Sequence, residues 1–342
     1  MKNIKIIHLI PCDGPGGVET GSKLGQQELR EYMDYEIKYI YYSTDSVITK
    51  LVKSIKIVKL LFKETSGKEK SIILSSLWMP HIIAFILKIL FRNIKWISFL
   101  HTSNYHNLIN YLVCTKLTRL ADKQVFDSYS TAKSYSKLKI DNHEIINFFF
   151  PNYEIKKFDI NNWSNRNYDF IIVARNEKRK GVLEIENFFL NIYPLYKTRP
   201  KVIIITDSLK KTIDFLKLKK KLNTICDIEF KTNITNFEVL KYFAESKIYV
   251  CLSHNEGFGM SVVESLVSGC FIITTNVGEQ QYYLHPNRRL ILNNISNYNL
   301  DFDFINQNGP SEENFIKAKE FLFKNVKPYS ESLKNIVMKI KY

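Results

Sequence analysis

Two glutamates and two glycines in the motif "HNEGFGMSVVESLVSG" have a spacing that suits the binding of a phosphate and a ribose. The motif follows the apolar run "IYVCL", and Gly257, Phe258 and Gly259 precede a helical pattern, so their N–H groups would face an anion at a helix N-terminus that Phe258 opens. Glu264 would lie further along that helix and accept hydrogen bonds from adjacent hydroxyls, with Glu256 beside the anion. The alternative is structural: Glu256 complements the helix dipole, and Glu264 is an exposed helix residue.

A second motif, "ARNEKRKG", places basic side chains directly after another apolar run. Arg175 follows that run, and Lys180 precedes Gly181 and a predicted helix. A guanidinium gives forked contacts to oxygens, an ammonium gives a point charge, and a helix N-terminus adds a positive end, so the motif indicates a clamp for a diphosphate. A basic, solvated surface loop explains the same residues equally well.

Glycines and a histidine follow two further runs. In "DGPGGVET", Gly16 and Gly17 would let backbone N–H groups approach a phosphate at the start of a helix. Such glycines also serve simply to close a turn, and Glu19 is equally a partner for the helix dipole. His101 follows "WISFL" and would lie at the mouth of a sheet, although a lone histidine more often has a structural role.

Short apolar runs alternate with amphipathic stretches along the chain, as expected for βαβ units in doubly wound parallel sheets. Ligands bind beyond the carboxyl ends of such strands, which is where all four motifs fall. The strands predicted in the first half are Lys5–Ile10, Glu36–Tyr42, Ser71–Ser75, Ile94–Leu100, Lys123–Asp127 and Glu144–Phe149. Those in the second half are Asp169–Ala174, Val202–Thr206, Asp227–Lys231, Ile248–Leu252 and Phe271–Thr275.

The length of 342 residues favours two domains over one core. Between Pro151 and Tyr168 the periodicity lapses into sequence rich in asparagine and charge, which indicates an interdomain connection. We therefore expect Rossmann-like domains over residues 1–155 and 166–325. Proline at 328 separates a last helix, over residues 328–342, that can pack back on the N-terminal domain.

The composition indicates a folded protein with an anionic partner. Hydrophobic residues make up 45% of the chain and aromatic residues 13%, which argues against disorder. Lys and Arg exceed Asp and Glu by 49 to 34, a net charge of +15 that favours phosphorylated ligands, a phospholipid surface or nucleic acid. No RNA-binding or helix-turn-helix signature accompanies this charge, so we expect no nucleic-acid partner.

The cysteines and apolar runs suggest a cytoplasmic location. The five cysteines include no C-x-x-C pair, which is typical of free thiols in a reducing compartment. No apolar stretch reaches the length of a membrane span, and the longest, Ile82–Phe91, predicts a buried helix.

These motifs together resemble family 4 of the glycosyltransferases, which has the GT-B fold of two Rossmann-like domains facing a cleft. The resemblance runs in order through "GPGGVE", "FLHT", "VARNEKRKG", "EGFGMSVVESLVSG" and "NVGEQ", over nearly the whole chain. It implies that the N-terminal domain serves the acceptor and the C-terminal domain binds a sugar nucleotide. It also implies that no metal or other cofactor is required.

The resemblance implies a role for each site residue. Arg175 and Lys180 would hold the phosphates of the donor, and Glu264 would hold its ribose. Glu256 and the Gly257–Gly259 amides would meet the donor sugar and its β-phosphate. His101 would face that sugar from the N-terminal domain.

Three departures from the family pattern affect these roles. Gly269 is not followed by the usual proline, and "NVGEQQ" has only Gly278 where relatives have two adjacent glycines, so the role of Glu279 is open. His101 is followed by Thr102 and Ser103 instead of an acidic residue, which leaves open what contacts the sugar 6-position.

Two other segments suggest binding. Asp301 and Asp303 have the D-x-D spacing of a divalent metal site, but they come late in the chain, and a solvated loop is the favoured interpretation. The segment from Lys50 to Lys63 predicts a helix with one lysine face and one apolar face. Either an ordinary surface helix or contact with an anionic membrane explains it.

The predicted reaction is retaining transfer of a glycosyl group from a nucleoside diphosphate sugar, with UDP or GDP as nucleotide, to a carbohydrate or lipid-linked acceptor. The resemblance suggests bacterial surface polysaccharide synthesis, such as that of lipopolysaccharide, O-antigen or capsule, at the cytoplasmic face of the inner membrane. The same fold also serves sugar-nucleotide epimerases, so an epimerase is one alternative. A catalytically silent module that binds a sugar nucleotide or a membrane is another.

Overall fold

The computed structural model describes residues 4–340 except 15, 31, 43, 66–69, 102–106, 137–143, 152–161, 197 and 293–299. Thr102 and Ser103 therefore lie outside the described residues. The chain forms two compact units: unit 1 comprises Met1–Phe150 with Lys327–Tyr342, and unit 2 comprises Pro151–Val326.

Unit 1 contains a six-stranded parallel sheet in the order β2-β1-β3-β4-β5-β6. Its strands are β1 (Lys5–Ile10), β2 (Asp34–Tyr39), β3 (Ser71–Ser76), β4 (Ile94–Leu100), β5 (Lys123–Phe126) and β6 (Glu144–Ile145). Its helices are α1 (Gly17–Leu29), α2 (Val47–Thr65), α3 (Trp78–Leu90), α4 (Leu108–Thr115), α5 (Tyr129–Ser136) and, from the end of the chain, α13 (Tyr329–Lys339).

Unit 2 also contains a six-stranded parallel sheet, in the order β12-β11-β10-β7-β8-β9. Its strands are β7 (Tyr168–Val173), β8 (Lys201–Thr206), β9 (Asp227–Thr232), β10 (Ser246–Cys251), β11 (Phe271–Thr275) and β12 (Arg289–Leu292). Its helices are α6 (Ile185–Ile192), α7 (Phe215–Leu222), α8 (Asn236–Ala244), α9 (Met260–Val267), α10 (Gln280–Tyr283), α11 (Phe302–Asn308) and α12 (Glu312–Asn325).

The central strands are apolar on both faces because helices cover both faces of a doubly wound sheet. Every residue of β3 is buried, and Trp96 of β4 is completely inaccessible. Two predicted strands differ from the structure by three or more residues at one end. The second strand begins at Asp34 and ends at Tyr39, two to three residues before the prediction. The strand predicted over Glu144–Phe149 pairs only at Glu144–Ile145, after which Ile146 to Phe150 continue as buried, non-repetitive backbone.

The last helix, α13, packs on the first, and both belong to unit 1. The Tyr329 N–H donates to the Phe149 carbonyl at 2.9 Å, and the Tyr329 ring is fully buried. A Cβ at Gly25 of α1 would lie 2.5 Å from that ring, so only glycine lets the two helices approach this closely. Unit 1 is thus completed by residues from the far end of the chain.

Helix α2 contains the segment 50–63 but does not have the two separate faces that the sequence predicts. Leu61 is fully buried against the sheet. Lys53 lies 2.7 Å from the Asp45 carboxylate, and the Lys50 ammonium lies 5.1 Å from the centre of the Tyr41 ring. Lys50 and Lys53 thus have partners near the start of the helix. The expectation of one lysine face and one apolar face is wrong, because Val52, Ile55 and Phe62 of the predicted apolar face are exposed like the remaining lysines.

The outer surface of α2 instead mixes basic and apolar side chains. Its exposed apolar residues are Val52, Ile55, Leu60 and Phe62, and its exposed lysines are Lys56, Lys59 and Lys63.

In the neighbouring α3, Ile89 and Leu90 are 65% and 55% exposed, so the expectation of a buried helix is wrong for that face. Among the described residues, no helix has both the length and the apolar character needed to cross a bilayer.

Candidate functional site

The topology of unit 2 marks one position on its sheet as a ligand site. Strand β7 lies between β8 and β10, so the chain leaves β7 in one direction and later returns on its other side. At such a switch point, the loops after the two adjacent strands diverge and leave a crevice at the carboxyl edge of the sheet. The loops that follow β7 and β10 contain "ARNEKRKG" and "HNEGFG".

A glycine holds the first of these loops against the second. Gly181 has φ +68°, in the left-handed region, and a Cβ there would lie 1.9 Å from the carbonyl oxygen of Leu252. A second backbone contact joins the His254 N–H to the Arg179 carbonyl at 2.9 Å. Because any side chain at 181 would force the loops apart, the glycine fixes Lys180 at the end of β10.

Lys180 and Glu256 form an ion pair at this point. The Lys180 ammonium lies 2.6 Å from Glu256 Oε1, and the Ser253 hydroxyl donates to the same oxygen at 2.7 Å. The two charged side chains are only 18% and 11% exposed, so solvent screens their attraction less than that of a surface pair. A diphosphate that reaches Lys180 would compete with Glu256 for the same ammonium.

Glu177 lies close to three cations, two from the same basic loop and one from the loop after β8. Its carboxylate lies 3.6 Å from Arg175, 2.9 Å from Arg179 and 3.3 Å from Lys211. Burial opposes its ionisation, but these three cations hold the pKa of Glu177 below its usual value. The loop therefore has more positive than negative charge, as an anion site requires.

A fully buried asparagine connects the loops after β7 and β8. The Asn176 N–H donates to the Asp207 carboxylate at 2.6 Å, and its side-chain amide donates to the Ser208 and Ile213 carbonyls at 3.0 and 2.9 Å. This network holds Lys211, which belongs to the second loop, beside Glu177.

Helix α9 begins two residues later than predicted. Gly259 has φ +83° and caps the helix, whose first residue is Met260, so the expectation that Phe258 opens the helix is wrong. The Phe258 ring is 3% exposed and packs against Tyr283, whose hydroxyl donates to the Phe258 carbonyl at 2.6 Å. Only the backbone of Phe258 is therefore available to a ligand, at a helix end whose N–H groups lack intrahelical partners.

Glu264 lies on α9 with a polar partner that the sequence does not indicate. The Asn236 side-chain amide, at the start of α8, donates to Glu264 Oε1 at 3.1 Å. Loss of hydration raises the pKa of Glu264 to about 7, although part of its surface stays accessible. Glu264 is therefore not an ordinary exposed helix residue.

The single glycine of "NVGEQQ" lies directly against the α9 loop. Gly278 has φ +63°, and a Cβ there would lie 2.4 Å from the Gly257 carbonyl oxygen. Glu279 is 5% exposed. Gly278 thus permits close approach of two backbones, and Glu279 is mostly enclosed by protein.

In unit 1, His101 follows β4, and its ring Nε2 lies 2.9 Å from the Ser76 hydroxyl at the end of β3. Its ring stacks on Phe148 with 6° between the planes.

Gly16 caps α1 in an extended conformation, and a Cβ there would overlap the Glu19 carboxylate. The Glu19 carboxylate therefore lies at the N-terminus of α1, where an anionic ligand would bind. This favours the structural interpretation of Gly16 and Gly17.

The D-x-D sequence has a structural role in unit 2. The Asp301 carboxylate accepts from the Phe304 N–H at 2.8 Å and caps α11, and Asp303 lies in the first turn of that helix. The expectation of a solvated loop is therefore wrong. Within the part of the chain that the structure describes, no three metal-ligating side chains cluster.

The structure thus brings Arg175, Lys180, Glu256 and the α9 N-terminus to one edge of one sheet. It also adds polar residues that the motifs do not single out: Ser253, Asn236, Glu177 and Lys211. All four lie in loops or first helical turns after strands β7 to β10. Glu177 and Ser253 lie within or directly beside the motifs in sequence, whereas Asn236 and Lys211 are close to them only in space.

Comparison with known proteins assigns a family to this site. A family model described as "Glycosyl transferases group 1" matches residues 154–320, within unit 2. These residues form a group 1 glycosyltransferase domain. Over 47 residues the chain is 49% identical to ORF330 of Acidianus filamentous virus 2, which is named as a glycosyltransferase, and the match spans 14% of this chain and 14% of ORF330.

Solved structures with the same fold cover nearly the whole chain. Sucrose-phosphate synthase from Thermosynechococcus elongatus is 13% identical with a TM-score of 0.73, and the similarity covers 98% of each chain. HepE from Anabaena, in complex with UDP and glucose, is 13% identical with a TM-score of 0.74 and coverage of 98% and 100%. Starch synthase IV from Arabidopsis thaliana, bound to ADP and acarbose, is 11% identical with a TM-score of 0.73 and coverage of 98% of each chain. The group 1 glycosyltransferase domain is thus part of a GT-B fold.

Proposed function

We propose that the chain transfers a glycosyl group from a nucleoside diphosphate sugar to an acceptor hydroxyl, with retention of anomeric configuration. The observation that supports this most directly is the partly buried Lys180–Glu256 pair, at the switch point of a group 1 glycosyltransferase domain. An ammonium, a guanidinium and a helix N-terminus at one sheet edge suit a diphosphate.

In the proposed reaction, the bond between the sugar C1 and the β-phosphate oxygen breaks while the acceptor oxygen bonds to C1. The acceptor proton passes to the departing diphosphate. Arg175, Lys180 and the N–H groups at the start of α9 stabilise the negative charge that grows on the leaving group. Electrostatic stabilisation by groups already in place is a large contribution to catalysis.

Glu264 and Asn236 are proposed to hold the ribose. A carboxylate accepts from two adjacent hydroxyls, and the Asn236 amide fixes its orientation. Neighbours of the same fold are described in complex with UDP, UDP-glucose and ADP. We propose a UDP or GDP sugar as the first donors to test, and the UDP complexes of these neighbours support the UDP sugar.

Thermal stabilisation by a panel of UDP-, GDP-, ADP- and CMP-sugars tests this proposal. A ligand at 100 times its Kd stabilises the folded state by about 2.7 kcal/mol. The matched control is Lys180→Met, which keeps the length of the side chain and removes the charge. Stabilisation of the wild type by one nucleotide class and its loss in the variant is expected, and equal stabilisation of both would contradict the proposed phosphate site.

Product analysis separates transfer from the two alternatives. The stabilising donor is incubated with and without candidate acceptors. A new sugar nucleotide formed without acceptor would indicate an epimerase, and no turnover with any acceptor would favour a silent binding module.

The phosphate site is proposed to work without a divalent metal, because its charge comes from Arg175, Lys180 and backbone N–H groups. We expect full transfer activity in excess EDTA. Loss of turnover on chelation, restored by manganese or magnesium, would contradict this prediction.

The acceptor is proposed to be a carbohydrate or a lipid-linked carbohydrate in bacterial surface polysaccharide synthesis, with the enzyme at the cytoplasmic face of the inner membrane. The supporting feature is the outer surface of α2, which presents Val52, Ile55 and Phe62 beside Lys56 and Lys59. Apolar side chains can enter the headgroup region while lysines bind anionic lipids.

A further inference from the structure

A continuous chain of hydrogen bonds runs through the interior of unit 1 and ends at His101. The Tyr329 and Tyr35 hydroxyls are 3.0 Å apart, and the Tyr35 hydroxyl is 2.5 Å from His8 Nδ1. His8 Nε2 is 2.8 Å from the Ser76 hydroxyl, which is 2.9 Å from His101 Nε2. The chain therefore joins α13, β2, β1, β3 and the end of β4.

The groups within this chain are uncharged. His8, Ser76 and Tyr329 are completely buried, and Tyr35 is 4% exposed. Loss of hydration lowers the pKa of His8 to about 3 and holds the pKa of His101 well below its ordinary value. Each of the two imidazoles therefore has one N–H and one acceptor nitrogen.

The number of protons limits how the chain can be arranged. Five neutral groups contribute one hydrogen each, and they make four hydrogen bonds with one another. If every bond is made, the fifth hydrogen lies on His101 Nδ1, on the Tyr329 oxygen, or on a hydroxyl that accepts from both of its neighbours. The third arrangement leaves a buried O–H of Ser76 or Tyr35 without an acceptor, because neither hydroxyl has another partner in the described part of the chain. The direction of the whole chain thus decides whether His101 Nδ1 donates or accepts.

The short bond between Tyr35 and His8 favours one direction. A phenol is the strongest donor among these groups and a poor acceptor, whereas an imidazole nitrogen is the strongest neutral acceptor. With Tyr35 donating to His8 Nδ1, His8 Nε2–H donates to Ser76, and Ser76 donates to His101 Nε2. His101 must then have its hydrogen on Nδ1.

We propose that Tyr35, His8 and Ser76 are positioning residues that lock His101 as the Nδ1–H tautomer, which presents a neutral hydrogen-bond donor to a ligand oxygen. Among the described residues, His101 Nδ1 is a buried polar atom without a partner. A buried donor without a partner costs free energy, so it indicates a group that is completed by something else. That this ligand is a carbohydrate substrate rests on the proposed function.

The imidazole is also fixed in its plane. Its ring stacks on Phe148 at 5.4 Å and lies 4.1 Å from the Phe99 ring centre. Turning the ring out of its plane would break this stacking, and a 180° flip within the plane would break the bond to Ser76. The ring orientation and the tautomer are thus set by different neighbours.

Nitrogen NMR of the histidine rings in the full-length protein without ligand tests the proposal. The ring nitrogen shifts distinguish the two tautomers, and His101→Gln assigns the signal. We expect His101 Nδ1 to be protonated and Nε2 unprotonated in the wild type. Protonation at Nε2 would overturn the proposal whatever reaction the protein catalyses.

Two matched variants test the direction of the chain, since each removes one buried hydroxyl and keeps the ring. In Tyr35→Phe, His8 loses its donor, so we expect the His101 signals to move toward an average of both tautomers. In Tyr329→Phe, Tyr35 still donates to His8, so the His101 signals should stay at their wild-type positions. Equal effects of the two variants, or a larger effect of Tyr329→Phe, would show the opposite direction and overturn the proposal.

Discussion

The two units differ in where their charged side chains lie. In unit 2, the carboxyl edge of the sheet has an ion pair at Lys180 and a cluster of cations around Glu177. In unit 1, the hydrogen-bonded chain that ends at His101 is neutral, and exposed lysines lie on the outer surface of α2. A charged edge suits the phosphates of a ligand. Hydrogen bonds between neutral groups orient the His101 ring without attracting counter-ions. This contrast predicts that charge changes in unit 2 affect nucleotide binding most.

The largest effect is expected for Lys180→Met. This change removes the ammonium and leaves Glu256 as an unpaired carboxylate, 11% exposed, where a phosphate should bind. Removing one partner of an enclosed charge pair costs about 2 to 5 kcal/mol, so nucleoside diphosphate affinity should fall by about 30-fold or more. Calorimetric titration measures it, with Lys178→Met in the same loop as the control. A loss of less than threefold would contradict a charged phosphate site.

The next effect is expected for Glu264→Gln, because Gln keeps the size and loses the charge that strengthens hydrogen bonds to the ribose. Nucleoside diphosphate affinity should fall by about 1.5 to 3 kcal/mol, equally for free nucleotide and for intact donor. If only the donor sugar complex were weakened, Glu264 would not be the ribose ligand.

Glu264 also predicts opposite responses of binding and stability to pH. The pKa of Glu264 is raised to about 7 in the folded chain. Glu264 therefore contributes fully to folding stability at pH values below its pKa in the unfolded chain, and this contribution is lost as the pH rises to about 7. The carboxylate that binds ribose, in contrast, becomes more populated above pH 7. Wild-type nucleotide affinity should therefore rise between pH 6 and 8 while stability falls, and both trends should weaken in Glu264→Gln.

A smaller effect of opposite sign is expected for Glu256→Gln. From the sequence, the loop position predicts nearly unchanged binding of free nucleotide with strongly depressed transfer. Because Glu256 pairs with Lys180, removing its charge frees the ammonium, and free nucleotide should bind about fivefold to tenfold more tightly. Turnover should still fall, since a contact to the reacting sugar is lost. Titration and rate measurements on the same preparation check both; weaker nucleotide binding would contradict the pairing.

The smallest effect is expected at the outer surface of unit 1. A single Lys59→Gln change should weaken binding to anionic vesicles by about 1 kcal/mol at low salt and by less at physiological ionic strength. Lys324→Gln, in α12 of unit 2, is the control. Vesicle binding that does not change with either lysine, or with salt, would argue against an electrostatic membrane contact.

The sequence predicts the regular parts of the fold well because their signal is local. The strands Lys5–Ile10, Ile94–Leu100 and Phe271–Thr275 are predicted with the bounds that the structure has. The start of α9 is not, because Gly259 adopts a left-handed conformation that composition alone does not reveal. The last predicted strand of unit 1 pairs over only two residues, because burial of Phe148 and Phe150 depends on α13, far away in the sequence.

The candidate site was predictable as a set of motifs but not as a set of contacts. The spacing identifies Lys180 and Glu256 separately, and only the fold shows that these residues, 76 positions apart, form a pair. Asn236 opens an ordinary capped helix, so nothing in its local sequence marks it as the partner of Glu264. His8 lies in the middle of an apolar strand, where its link to His101 through Ser76 has no sequence signal.

The discontinuous composition of unit 1 has a consequence for biosynthesis. Residues Lys327–Tyr342 belong to unit 1, although the ribosome makes them after all of unit 2. Domains generally fold as they are synthesised, from the N-terminus onward. All residues of unit 2 are synthesised before unit 1 is complete. The surface around Gly25 and Tyr35 stays uncovered until Tyr329 has been synthesised. A nascent chain stalled before Lys327 would therefore expose that apolar surface to chaperones and proteases.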